Sequence, residues 1–63
     1  MGYREAMELA RIRSELRDRL MAGRIHGAWD LLARLRMAAE GDADLSSEYA
    51  RWRLRFELLA GGV

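Results

Sequence analysis

A chain of 63 residues makes one small domain at most, and 11 basic against 10 acidic side chains leave a formal net charge of +1, too little for bulk charge to recruit nucleic acid, acidic lipid or anionic substrates. No cysteine is present and only one histidine, which excludes disulfides and thiolate metal sites and would leave a structural zinc an all-carboxylate shell. A core this short supplies about 3 to 5 kcal/mol, so oligomerisation is the remaining way to gain stability.

Apolar residues make up 51% of the chain and charged ones 33%, the composition of a helical domain that folds and not of a disordered tail. Every basic residue is arginine, and lysine, asparagine, glutamine, threonine and proline are absent. Codon usage in a GC-rich genome accounts for this pattern, as would a designed origin. Arginine also suits bidentate contacts with carboxylate or phosphate. No stretch approaches the roughly 18 apolar residues needed to span a bilayer, and residues 1–8 lack the apolar region of a signal peptide. These features imply no membrane association and a cytoplasmic location.

The first helix is expected over residues 3–22. Leu9, Ile12, Leu16 and Leu20 recur at spacings of three and four and share one face. Gly23 stops the helix, and residues 23–27 read as the corner of an antiparallel hairpin. Its polar side offers the pairs Arg4 with Glu8, Arg11 with Glu15 and Glu15 with Arg19, each worth about 0.2–0.5 kcal/mol. Arg13 and Arg17 have no acid three or four residues away, which makes them candidate contacts for an anion or a partner carboxylate.

The second helix is expected over residues 25–40. Ile25, Ala28, Leu32, Leu35 and Ala39 form an unbroken seam, flanked by Leu31 and Ala38, while Trp29, Ala33 and Met37 turn away from it. With so little polar surface this should be the central, most buried helix. His26 sits at the corner as a surface residue or local cap, with no group beside it to activate it as a base.

Residues 41–44 form an acidic loop, and Asp42 with Asp44 lack the further acid that a calcium loop requires. A third helix is expected over residues 46–60, with Ser46, Ser47 and Glu48 suited to its amino terminus and Gly61 and Gly62 ending it. Its seam is Leu45, Tyr49, Trp52, Phe56 and Leu59.

Each helix then carries apolar residues on another face. Ala50, Leu54 and Leu58 lie almost opposite the aromatic seam of the third helix, and Met7, Ala10 and Met21 stand well away from the seam of the first. Trp29 and Met37 do the same on the second. One bundle core cannot receive both sets. Because a buried large aliphatic side chain is worth roughly 1.5–3 kcal/mol, Ala50, Leu54, Leu58, Met7, Met21, Trp29 and Met37 are the candidate protein interface.

The segment 51–56 alternates arginine with apolar and aromatic residues, as a nucleic-acid surface would. On a helix, however, Arg51 and Arg55 share one flank, Arg53 lies across from them, and Trp52 with Phe56 belong to the seam. Glu48 with Arg51 and Arg53 with Glu57 are available pairs, leaving Arg55 the freest. Arg51 and Arg55 join Arg13 and Arg17 as candidate anion or partner contacts. A helix-turn-helix is disfavoured, since the third helix turns Leu54 and Leu58 outward where base-reading polar groups would stand.

From Ile12 to Leu59 the chain resembles a tetratricopeptide-type helical hairpin with the first helix of a following unit, one and a half repeats in all. Leu20, Gly23, Ala28 and Leu32 carry the match, with Gly23 at the interhelical turn and Ala28 as the small residue that lets the paired helices approach. That resemblance implies peptide or protein binding and no enzymatic activity.

These readings converge on an all-α domain of three helices, an antiparallel hairpin with a third packed helix, completed within an oligomer. Its expected role is a non-catalytic interaction module that self-associates, a homodimer before other stoichiometries, or an accessory or adaptor subunit of a larger protein. A small arginine-rich nucleic-acid-binding or regulatory protein is the alternative. No catalytic residue, metal ligand or cofactor site is expected.

Overall fold

The computed structural model describes residues 2–61, which form three helices: α1 (Tyr3–Met21), α2 (Ala28–Ala38) and α3 (Ala43–Ala60). No helix in it is long and apolar enough to cross a membrane. The all-α, three-helix architecture agrees with the hydrophobic periodicity, while four of the helix ends do not, that of α1 by a single residue, and the reasons are local.

α1 begins after Gly2, whose N–H donates to Glu5 Oε2 at 3.4 Å, so an acid in the first turn meets the positive end of the helix dipole. It ends in a Schellman motif: the Arg24 N–H donates to the Arg19 carbonyl at 2.8 Å and the Gly23 N–H to that of Leu20 at 3.2 Å. Gly23 makes this possible by taking φ 73°, a left-handed conformation costly for residues with a Cβ.

α2 starts three residues later than the seam suggested. The Ala28 N–H closes a turn onto the Ile25 carbonyl, and Gly27, at φ 79°, takes the left-handed conformation before the first helical residue. Ile25 therefore lies outside the helix, 39% exposed, and is not a core residue. The corner is held by Arg19, whose Nη1 donates to the His26 carbonyl at 2.8 Å. The guanidinium lies so close over Gly27 that a Cβ there would come within 2.7 Å of Nη1. α2 also stops short of residue 40, with Ala39 as its C-cap.

α3 starts three residues earlier than expected because the cap is an aspartate and not a serine. Asp42 Oδ1 accepts the Leu45 N–H at 3.1 Å, leaving Asp44 in the first turn. Ser46, expected as a capping hydroxyl, instead donates through Oγ to the Ala39 carbonyl at 3.2 Å and ties the start of α3 to the end of α2.

The core consists of Leu9, Ile12, Leu16 and Leu20 from α1, Ala28, Leu31, Leu32 and Leu35 from α2, Ala39 at its cap, and Leu45 from α3. α2 packs against both other helices, as its low polarity implied, and supplies as many core residues as α1. Leu31, read from its spacing as a flank, is fully part of the core. Tyr49, Trp52 and Phe56 are half-buried against this cluster, and Leu59, placed in the same seam, is 41% exposed. α3 thus lies across the hairpin with one buried aliphatic and an aromatic edge, packed chiefly on α2 and less on α1.

Candidate protein-interaction surfaces

Eight large aliphatic side chains fill the core, and nine large hydrophobic residues stand exposed among the described residues: Tyr3, Met7, Met21, Ile25, Trp29, Met37, Leu54, Leu58 and Leu59. No buried side-chain nitrogen or oxygen among the described residues lacks a hydrogen-bond partner. Nine large apolar side chains therefore stay outside a core built of eight, with Tyr49, Trp52 and Phe56 at its edge. The seven interface candidates fall on three separate surfaces, one for each helix.

On α3, Leu54 is 60% exposed and Leu58 66% exposed, and Ala50 precedes them on the same ridge. At about 100° per residue this ridge points nearly opposite Leu45 and so directly away from the hairpin. Its flanks differ in charge. On one side Arg53 Nε meets Glu57 Oε1 at 2.9 Å, the pairing its spacing indicated. On the other stand Arg51 and Arg55, neither of which forms a salt bridge among the described residues. Arg55 instead lies over the Trp52 ring, 5.8 Å from its centroid, within the range of a cation–π contact.

On α2, Trp29 and Met37 edge a groove of about 550 Å³ shared with Tyr49 and Arg53 of α3. Trp29 is a correction to the outward reading: its ring is 5.6 Å from that of Phe56 at 44°, so one face of the indole already serves the α2–α3 contact. Met37 remains free on the rim.

On α1, Met7 and Met21 are both exposed, and so is every residue of the series Tyr3, Met7, Ala10, Ser14, Arg17 and Met21. The spacings are 4, 3, 4, 3 and 4, a seam running the whole helix on the face away from the core. Tyr3 and Ser14 belong to this seam although only the methionines and Ala10 were singled out from the sequence. The signal was present in the spacing, but Ser14 and Arg17 interrupt it as an apolar stripe. Beside the seam, Tyr3, Met7, Ile12 and Arg34 line a cleft of about 610 Å³.

The arginine candidates need one clear correction. Arg13 is not free for a partner: its Nε and Nη2 donate to Glu48 Oε2 and Oε1 at 2.7 and 2.8 Å, a bidentate pair joining α1 to α3 across 35 positions of sequence. Glu48 closes no salt bridge with Arg51, whose charge acts on it only from a distance, and it also accepts the Trp52 Nε1–H at 3.2 Å. The hydrogen bonds from Arg13 hold the Glu48 carboxyl below the usual carboxylate range. Burial opposes this, and the indole N–H assists it. Arg17 has only a loose neighbour, Asp18 at 3.8 Å. The proposed pairs Arg4 with Glu8, Arg11 with Glu15 and Glu15 with Arg19 are not closed as salt bridges.

No group of three or more histidine, aspartate or glutamate side chains among the described residues could hold a metal ion. No protein-family model, curated protein or solved structure matches this chain.

Proposed function

We propose that this chain is a non-catalytic protein-interaction module that self-associates, as a homodimer before larger assemblies, or serves as a small accessory subunit of a larger protein. The observation that carries this reading is the set of large hydrophobic side chains exposed along the outer faces of α1 and α3, outside the buried core. Scattered surface hydrophobes are ordinary, whereas a contiguous row such as Ala50, Leu54 and Leu58 on α3 marks a contact surface. The hairpin that resembles a tetratricopeptide unit supports the same role, with Gly23 in the left-handed turn and Ala28 fully buried where the helices meet. One and a half units fall short of the three or so that such arrays need for stability, which again favours completion by another polypeptide.

Sedimentation across nanomolar to high micromolar concentration tests the self-association. The expected result is a mass that rises with concentration, and a folded monomer throughout overturns it. Leu54→Asp with Leu58→Asp, read by mass and helicity together, tests the α3 ridge: lost assembly with helicity retained assigns the ridge to an interface.

A second reading is contact with an anionic polymer, favoured by Arg51 and Arg55 standing on one flank without a closed salt bridge among the described residues. Against it, Arg55 already occupies a face of Trp52, and Trp52 is half-buried, so no open platform remains on which a base could stack. Absence of retention on mixed DNA and RNA at low salt disposes of it.

A further inference from the structure

We draw no further inference here: the strongest candidate, the outward apolar ridge of Ala50, Leu54 and Leu58 on α3, carries nothing more because Arg53 pairs with Glu57 along one flank while Arg51 stands with Arg55 along the other, and nothing in the structure shows what covers it.

Discussion

Replacing Glu48 with glutamine keeps the size and helix preference of the side chain and removes its charge. In the native protein that carboxylate receives two guanidinium hydrogen bonds from Arg13 at 2.7 and 2.8 Å and the Trp52 N–H at 3.2 Å. The Glu48 side chain is 18% exposed but that of Arg13 is 44% exposed, so solvent screens part of the attraction. A well-aligned bidentate pair at that exposure sits at the upper end of the about 0.2–1 kcal/mol found for surface ion pairs, and the amide nitrogen that replaces Oε1 sets a donor against Arg13 Nη2, which raises the total to about 1–1.5 kcal/mol. For so small a domain each kcal/mol moves the melting temperature by about 4–8 °C, so Glu48→Gln should melt about 5–10 °C lower at pH 7. Circular dichroism melts at one fixed protein concentration measure this, since self-association itself shifts the midpoint. The pH dependence has a definite sign. Glu48 has its folded pKa depressed below the ordinary value of 4.5, so the stabilisation is fully present above that value and is lost as pH falls through the folded pKa. The wild-type advantage should therefore be constant above about pH 5.5 and close progressively below it. Arg13, whose pKa is raised by the same contact, stays charged throughout and adds no titration in this range. Equal melting temperatures at pH 7, or a gap that widens on acidification, would refute the assignment of Arg13–Glu48 as a stabilising clamp.

Gly27→Ala forces a Cβ into a left-handed position at a cost of about 1–2 kcal/mol and also pushes Arg19 off the His26 carbonyl. Gly23→Ala incurs the same backbone cost with open space around it, so denaturant titration should show Gly27→Ala as the more damaging by about 0.5–1 kcal/mol. Asp42→Ala removes the side-chain acceptor that starts α3 and should cost about 0.5–2 kcal/mol, whereas Ser47→Ala, on the exposed side of the same turn, should change stability little. Comparable losses for Asp42→Ala and Ser47→Ala would show that the serines and not the aspartate carry the cap.

The helices and their core faces were legible because the 3.6-residue period survives in every one: Leu9, Ile12, Leu16 and Leu20, then Ala28, Leu32, Leu35 and Ala39, all reach the interior. Helix ends were less so. A left-handed glycine competes with an apolar residue that continues the pattern, which is why Ile25 reads as helical and is not. A serine pair resembles a cap while Asp42, four residues earlier, performs it. The tertiary pairing of Arg13 with Glu48 could not be read at all, since helical spacing reports only neighbours on the same helix. Spacing offers Glu48 to Arg51, and the fold gives it to a residue 35 positions away. The outward ridge of α3 was legible for the same reason as the core: a second period on one helix is as visible as the first. Trp29 was the exception, because an aromatic can be more than half exposed and still stack on Phe56.

Arg13 and Glu48 join the first helix to the last, and the interval between them sets when that bond can form. The hairpin of α1 and α2 assembles from segments adjacent in the chain, whereas the clamp requires α3 to have returned across it, closing a far longer loop. Interactions completed after the rate-limiting barrier act on the lifetime of the native state and not on the speed of reaching it. Glu48→Gln should accordingly hasten unfolding and leave refolding unchanged in a stopped-flow experiment, the mark of a bond that shuts after the rest of the third helix has docked.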